Sequence, residues 1–286
     1  MIGPRHPALA RLRRLSRQRS ARSEERAFVI DGPTLLAEAL DAGVDIVELV
    51  GEPDASDHLL DRAAATGATV HRAAPGALAK ATATVTPQPL AAIAPMDEPT
   101  VAEALAGLER PELVLALVAV NDPGNAGTLL RSADAVGTGA VLFCDDSVDP
   151  YNPKCVRAAA GSLFRLQVVR TTSGVEALRL LRDQGIRTVG TVARGGSRYD
   201  RADLTGPTAI VVGSEAHGLP AEVESQLDEH VSIPMRAPVE SLNVAMAGTL
   251  VCFEAMRQRS DRPAGHLNPP NPLDDARPSG AGCSAA

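Results

Sequence analysis

An apolar segment that runs into a polar turn and then directly into a helix constrains the fold of this chain most. In LVLALVAVNDPGNAGTLLR, residues 113–131, the part before the turn is apolar on both faces, as in a strand buried within a parallel sheet. Asp122 to Asn125 break the strand, and apolar side chains return at helical spacing after Asn125, which opens the helix. The segment predicts an α/β fold with polar groups at the carboxyl end of a strand, where open α/β sheets bind ligands.

Two polar residues of this junction, Asn125 and Arg131, are placed to face one crevice. The other interpretation is a helix cap and a solvated arginine, which are both common features of proteins. The junction alone does not decide between a ligand site and an ordinary turn.

Two later segments repeat the pattern of a strand that ends in polar residues. TAIVVGSEAHGLP, residues 208–220, has Gly213, Ser214 and Glu215 after a strand, and glycine lets a ligand approach the backbone. In HVSIPMRAPVESLNVAMAG, residues 230–248, a short strand closes at Pro234, and Ser241 to Asn243 open a long apolar helix. Each turn alone is ordinary, but three such edges in one half of the chain indicate a shared site.

Together these junctions resemble the ordered motifs of SpoU-type, or TrmH-type, RNA 2′-O-ribose methyltransferases of the SPOUT superfamily, over residues 112–259. The matching positions are Asn125, Gly127 and Arg131, then Gly213, Ser214, Glu215 and Gly218, and finally Ser232, Ile233, Pro234, Met235, Ser241, Leu242 and Asn243. A weaker family element matches NPKCVRAAAG, with Lys154 and Arg157 on a predicted helix. Ala159 and Ala160 depart from that element, because many relatives carry a hydroxyl or a further arginine there.

The resemblance implies a C-terminal trefoil-knotted domain, built on a mostly parallel sheet with helices on both faces, and a small ribosomal-protein-like α/β domain before it. Residues 27–96 fit that first domain, with strands at FVI, IVELV and LAAIA and helices over Pro33–Ala42 and Asp57–Thr66. It begins with VIDGP, where Asp31 replaces the usual glutamate, and TPQP lacks the usual final glycine. A Rossmann methyltransferase is not indicated, because Gly137 and Gly139 lack the third glycine and the helix start of that fingerprint.

The remaining segments divide the chain further. Residues 1–26 are predicted to be a basic arm, 97–111 a linker with a short helix over Val101–Leu108 that lets the domains move, and 260–286 a disordered tail. The methyltransferase domain then spans 112–259.

By the same resemblance, the chain transfers a methyl group from S-adenosylmethionine to a ribose hydroxyl of RNA. The implied catalytic residues are Arg131, Asn125, Glu215, Ser241 and Asn243, and the implied cofactor-binding residues are Gly213, Ser214, Glu215, Ser232, Ile233, Leu242 and Asn243. The family's usual assignment makes Arg131 the activating residue. A guanidinium accepts a proton poorly, so donation to the developing alkoxide is the easier role.

RNA must meet local positive patches, because the net charge is −7 and aromatic residues are only 2% of the chain. The predicted RNA-binding residues are Arg11, Arg13, Arg14, Arg17, Lys154 and Arg157. The other interpretation of the arginine-rich start is a solvated helix face. The two-domain layout resembles enzymes that act on 23S ribosomal RNA; the alternatives are a tRNA 2′-O-methyltransferase or a non-catalytic RNA-binding ribosome assembly factor that retains the fold.

Composition bounds the remaining possibilities. The four cysteines lack metal-ligand spacing, so neither a metal site nor a disulfide is predicted. No apolar run is long enough to span a membrane, and the arginine-rich start lacks the apolar core of a secretory signal, so a cytoplasmic protein is predicted. The resemblance also implies a homodimer with a shared active site, which predicts Leu250, Val251 and Phe253 near a partner.

Overall fold

The computed structural model describes residues 1–82, 84, 86–108, 113–236 and 241–260. Two sheets organise these residues. The elements of the first unit, residues 1–96, are α1 (Pro7–Arg17), α2 (Arg19–Glu25), β1 (Ala27–Asp31), α3 (Pro33–Asp41), β2 (Glu48–Gly51), α4 (Asp57–Ala65), β3 (Thr69–Arg72) and β4 (Leu90–Pro95). Its four-stranded sheet has the order β1-β4-β2-β3, in which only β2 and β3 are parallel.

The second unit begins after a short helix, α5 (Val101–Ala106), and contains a seven-stranded sheet. Its elements are β5 (Leu113–Val118), α6 (Pro123–Ala135), β6 (Ala140–Cys144), α7 (Pro153–Ala159), β7 (Gln167–Thr171), α8 (Gly174–Asp183), β8 (Arg187–Thr191), β9 (Ser197–Arg198), β10 (Thr208–Val212), α9 (Ala221–Glu224), β11 (Glu229–Ser232) and α10 (Val244–Ser260). The strand order is β7-β6-β5-β10-β8-β11-β9, and all neighbouring strands are parallel.

The predicted α/β class with a largely parallel sheet is therefore confirmed, and β5 shows its physical basis. Leu113, Leu115 and Leu117 face a core shared with α6, α7 and α10, whereas Val114 and Val118 face a second core shared with α5 and α8. Every residue of β5 is buried, as its continuous apolar run predicts. The trefoil knot stays a prediction.

The arginine-rich start, predicted as a basic arm over residues 1–26, contains the helices α1 and α2, which pack on the first sheet. Leu9, Leu12 and Leu15 of α1 are buried against Val29 and Ile93 on the outer face of the first sheet. The arginines of α1, Arg11, Arg13, Arg14 and Arg17, lie between or after these leucines, which recur three apart, so the helix is amphipathic rather than uniformly basic.

Contacts cross from the first unit to the second, although a flexible linker was predicted. The Arg22 guanidinium of α2 contacts the Asp149 carboxylate, with Nη2 2.6 Å from Oδ2, and both side chains are 3% exposed. The ring of Phe28 in β1 packs against that of Tyr151 at a centroid distance of 4.9 Å. In the predicted linker, Thr100 and Glu103 form a capping box that starts α5. The described residues of the two units thus share one packed boundary.

Other expectations concern details of these units. The predicted strands and helices of the first unit are present, but β3 was missed because only Val70 in it is large and apolar. Among the described residues no helix is long and apolar enough to cross a membrane, and no His, Cys, Asp and Glu side chains gather as metal ligands. Residues 261–286 of the predicted tail lie outside the described part.

Candidate active site at the sheet edge

The first junction contains a helix whose cap differs from the predicted one. Asp122 is the N-cap of α6, and its Oδ1 accepts a hydrogen bond from the Asn125 amide at 2.8 Å. Pro123 occupies the first helical position, which suits a residue with a fixed φ and no N–H. Asn125 therefore lies inside the first turn rather than opening the helix, which frees its side chain for other contacts.

The side chain of Asn125 joins the three sequence junctions. Its Nδ2 donates to Glu215 Oε1 at 2.8 Å, and its Oδ1 accepts from Asn243 Nδ2 at 2.9 Å. Asn243 Oδ1 accepts in turn from the amides of Ala245 and Met246, so it caps α10. This relay of Glu215, Asn125 and Asn243 fixes the start of α6 and the start of α10 against the loop after β10.

Glu215 is placed to remain ionised. Partial burial works to raise the pKa of Glu215, but hydrogen bonds from the Asn125 side chain and from the amides of Asn121 and Asp122 outweigh it. The result is a pKa below the usual range of glutamate. A charged acceptor holds these donors more strongly than a neutral one.

The loop after β10 is a tight turn that is closed by backbone hydrogen bonds between Ser214 and Gly218. The Ser214 amide donates to the Gly218 carbonyl at 2.8 Å, and the Gly218 amide returns a bond to Ser214 at 3.0 Å. A Cβ added at Gly213 would lie 2.2 Å from the Gly218 carbonyl carbon, so only glycine fits there. Gly218 has φ +68°, which also favours glycine.

A cavity of about 490 Å³ opens beside this turn, at the carboxyl ends of β8, β10 and β11. We name it the sheet-edge cavity. Its volume lies in the range of small-molecule and cofactor sites. The cavity is lined by Thr191, Val192, Ala193, Arg194, Gly213, Ser214, Glu215, Ala216, His217, Gly218, Leu219, Glu224, Val231, Ile233, Met235, Ser241, Leu242, Val244 and Ala247.

Most of the predicted cofactor-binding residues line this cavity. Those that do are Gly213, Ser214, Glu215, Ile233 and Leu242, together with Ser241 from the catalytic set. Ser232 ends β11 just before the lining residue Ile233, and Asn243 contacts the site through Asn125. The structure thus brings together residues that lie as far as 30 positions apart in the sequence, although the role of each residue stays a prediction.

The sequence analysis missed the loop after β8. Thr191, Val192 and Ala193 line the cavity together with Arg194. The signal was present, because β8 is apolar at Val189 and is followed by the pair Gly195 and Gly196, both with positive φ. Without the strand order, nothing in the sequence indicated that this loop adjoins the loop after β10.

Arg131 lies in α6, about two turns beyond the first, and is exposed. It is not among the residues that line the sheet-edge cavity of its own chain. Its neighbour Ser132 is 2.6 Å from Thr249, hydroxyl to hydroxyl, so α6 packs beside α10 at this level.

The comparisons with known proteins agree with this geometry. The model of the SpoU rRNA Methylase family matches residues 112–253, and that of the MRM3-like substrate binding domain matches residues 7–92. The 23S rRNA (guanosine(2553)-2′-O)-methyltransferase RlmP of Bacillus subtilis is 32% identical over 234 residues, which cover 81% of this chain and 89% of the relative. The chain belongs to the SpoU rRNA methylase family. The family resemblance inferred from the motifs is thereby confirmed.

Other known proteins match this chain in part or in whole. The 23S rRNA (guanosine-2′-O-)-methyltransferase RlmB of Vibrio parahaemolyticus is 38% identical over 135 residues, 47% of this chain and 55% of RlmB, so the match spans about half of that relative. The crystal structure of the SpoU methyltransferase AviRb from Streptomyces viridochromogenes, in complex with the cofactor AdoMet, aligns with a TM-score of 0.80 and 28% identity. That alignment covers 89% of this chain and 99% of AviRb, so both units share its fold.

The predicted RNA-binding residues of this SpoU member fall into two groups. Arg11 forms ion pairs with Glu25 at 2.7 Å and Glu48 at 3.1 Å, and Arg14 also pairs with Glu25. The carboxylates offset these two charges, which sequence spacing did not reveal because Glu48 is distant in the chain. Arg17 is exposed.

The second group is less constrained. Arg13 donates only to the Lys80 carbonyl among the described residues. Lys154 and Arg157 lie on α7, as predicted, and Lys154 reaches Asp122 at 3.4 Å. Arg13 and Arg17 pair with no carboxylate among the described residues, and the pairs of Lys154 and Arg157 are longer, at 3.4 and 3.9 Å, than those of Arg11 and Arg14. These four residues are therefore better placed than Arg11 and Arg14 to contact a phosphate.

Proposed function

We propose that this protein transfers a methyl group from S-adenosylmethionine to a ribose 2′-hydroxyl of 23S ribosomal RNA. The observation that carries the proposal is the sheet-edge cavity together with the relay of Glu215, Asn125 and Asn243, which joins all three family motifs at its mouth. RlmP and RlmB, which are 23S rRNA methyltransferases, support the assignment of the substrate. The crystal structure of AviRb in complex with AdoMet supports the assignment of the cofactor.

The residues of the cavity fit this cofactor. Gly213 leaves no space for a side chain at the turn, so a ligand meets backbone amides and carbonyls there. Val231, Leu219 and Ile233 supply apolar surface, as an adenine ring needs. When bound, S-adenosylmethionine supplies an electrophilic methyl group on a sulfonium.

The chain's own residues would then position the ribose hydroxyl and handle its proton. Arg131 donates hydrogen bonds to the oxygen as negative charge develops and to a neighbouring phosphate, since a guanidinium is a donor only. Glu215 and Asn125 hold the start of α6 and thereby the helix that carries Arg131. Positioning of this kind contributes most of the rate gain in an in-line displacement.

The site is proposed to be completed in a homodimer. Three large apolar side chains on one face of α10 are exposed, namely Met246 (61%), Leu250 (41%) and Phe253 (41%). Their spacing of four and three puts them on one stripe of the helix. Val251 was expected at the same interface, but it is fully buried in its own chain because it faces the opposite side of α10. The exposed stripe belongs to the helix that packs on α6, so a partner seated there adjoins Arg131.

Mapping of 2′-O-methyl groups tests the proposal directly. A 23S ribosomal RNA transcript, a 16S transcript and a tRNA pool are incubated with the purified protein and S-adenosylmethionine. We expect one ribose of the 23S transcript to be methylated. Methylation of the tRNA alone would move the substrate to the tRNA alternative, and RNA binding without methylation of any transcript would favour the assembly-factor alternative.

Two variants of Arg131 test the mechanism. Arg131→Ala should abolish methyl transfer while calorimetry finds unchanged S-adenosylmethionine affinity, because Arg131 does not line the cavity of its chain. Arg131→Lys should also fail, because lysine lacks the planar fork of donors. Full turnover by Arg131→Ala would reject the assignment.

The dimer is tested by the oligomeric state. A Leu250→Asp/Phe253→Asp variant should elute as a monomer and lose methyl transfer, while His58→Asp on an exposed surface of α4 serves as the matched control. A monomeric variant that methylates RNA at the wild-type rate would reject the shared site.

A further inference from the structure

The boundary between the two units contains a second pair of opposite charges, and the two side chains of this pair do not form a hydrogen bond with each other. Asp31 ends β1 in the first unit, and Arg157 lies on α7 in the second. Arg157 Nη1 is 3.9 Å from Asp31 Oδ2, with side-chain exposures of 33% and 3%. This distance is too long for a hydrogen bond but short enough for an ion pair.

Each group keeps one buried polar atom that other contacts do not satisfy. Asp31 Oδ1 and Arg157 Nη1 are both buried without a hydrogen-bond partner among the described residues. Asp31 Oδ2 accepts from Thr84 Oγ1 at 2.8 Å, which fixes the orientation of the carboxylate. Burial raises the pKa of Asp31, although Thr84 and the charge of Arg157 work in the opposite direction. Keeping a carboxylate here costs stability, so a role in function is a better explanation than a role in folding.

The location of Arg157 indicates what that role is. Its inner nitrogen faces Asp31, and the exposed third of the side chain leaves donors for a ligand outside. Lys154 lies one turn earlier on α7 and is also exposed, so two cations share this stretch of surface. Helix α7 packs closely on the first turn of α6, since a Cβ at Gly127 would lie 2.4 Å from that of Ala158. The cations are therefore near the relay that contains Asn125.

We propose that Asp31 is a positioning residue, which orients the Arg157 guanidinium from across the unit boundary so that its outer N–H groups bind a phosphate of the RNA substrate beside the sheet-edge cavity. The proposal rests on the function proposed above and adds a residue of the first unit to the RNA site. It explains why an unfavourable buried carboxylate faces an arginine that is only partly covered.

A double-mutant cycle on RNA affinity tests the proposal. The dissociation constant of a 23S ribosomal RNA transcript is measured for the wild type, Asp31→Asn, Arg157→Ala and the double variant. Asp31→Asn should weaken binding about tenfold, which is about 1.4 kcal/mol, and Arg157→Ala at least as much. The double variant should bind no more weakly than Arg157→Ala, because Asp31 acts only through Arg157. Losses that multiply in the double variant would overturn the proposal.

Two further readings separate positioning from a general structural role. The melting temperature of Asp31→Asn should stay close to that of the wild type, because the neutral side chain avoids the cost of burying a charge while Arg157 loses its counter-charge. A clearly lower melting temperature together with weaker S-adenosylmethionine binding would overturn the proposal. Glu38→Gln is the matched control. Glu38 also belongs to the first unit and pairs with an arginine of the second, but that residue, Arg165, also binds Asp134. Glu38→Gln should leave RNA affinity within about twofold.

The same transcripts distinguish failure of this inference from failure of the proposed function. A wild type that binds 23S RNA without methylating it would reject the proposed activity, while the affinity cycle still reports on Asp31. A wild type that methylates the RNA, with an Asp31→Asn variant of unchanged affinity, would reject the positioning role alone. A wild type that binds no RNA would reject both.

Discussion

Removing one partner of the buried ion pair between Arg22 and Asp149 should destabilise the protein strongly. Both side chains are 3% exposed, and Arg22 also donates from Nη1 to the Leu15 carbonyl at 2.8 Å. Arg22→Met would leave the Asp149 carboxylate with only the Tyr151 amide, at 3.0 Å, among the described residues. Breaking a buried pair in this way costs about 3 to 5 kcal/mol, a large share of a typical stability of about 5 to 15 kcal/mol.

A double variant tests whether the loss of stability comes from an unpaired buried charge. In Arg22→Met/Asp149→Asn both charges are gone, while the Asn side-chain oxygen still accepts from the Tyr151 amide. We expect it to recover about 2 kcal/mol or more relative to the sum of the single losses, because most of each loss is the cost of an unpaired buried charge.

Urea unfolding supplies the measurement. Far-UV circular dichroism reports on the whole chain, and tyrosine emission reports on Tyr151 at the boundary and Tyr199 in the second unit, since the chain has two tyrosines and no tryptophan. In the wild type the two signals should change together, as expected when the units share a packed boundary. A loss below about 1 kcal/mol for Arg22→Met, or strictly additive losses, would refute the reasoning.

Three further outcomes follow from the site and the core. Gly213→Ala should abolish S-adenosylmethionine binding in calorimetry and lower stability by about 1 to 3 kcal/mol, because its Cβ would lie 2.2 Å from Gly218; binding of normal affinity would contradict the backbone-lined turn. The pKa of Glu215 is lower in the folded protein than in the unfolded chain, where it is about 4.3. The stability that the ionised Glu215 contributes to the fold is therefore fully present above about pH 4.3, and it is lost as the pH falls through the pKa of the folded protein. S-adenosylmethionine affinity should therefore be equal at pH 7 and pH 5.5, and a decline over that interval would contradict the shift. Burial raises the pKa values of Cys144, Cys155 and Cys252, so in a Cys283→Ser variant Ellman's reagent should modify these thiols only after unfolding, and rapid labelling of that native variant would show that they are accessible.

Local patterns in the sequence were sufficient to predict most elements and the family. Every residue from Leu113 to Val118 is apolar, as expected of a strand that is covered on both faces of its sheet. In the structure, alternate residues of this strand pack into two cores, one on each face. The start of α10 was predicted at Ser241 to Asn243, and the structure shows that Asn243 is the residue that caps it. Asn125 was assigned the wrong local role, because Asp122 and Pro123 form the stronger start signal three positions earlier.

Contacts between distant segments were beyond the reach of sequence patterns. The sequence placed Glu215 after a strand, but the strand order brings it to Asn125 across 90 positions. It also showed a cluster of arginines, whereas the fold decides that Arg11 is paired with Glu48 and that Arg22 is buried on Asp149.

The sequence by itself therefore determined the periodicity, the caps and the motif residues of this protein, since each depends on neighbours along one helix or strand. Only the tertiary structure decided which loops form the sheet-edge cavity, which arginines keep a free charge, and that Asp31 of one unit faces Arg157 of the other. The physical reason is that the effective charge of a side chain depends on burial and on partners in space, and neither is a property of the local chain.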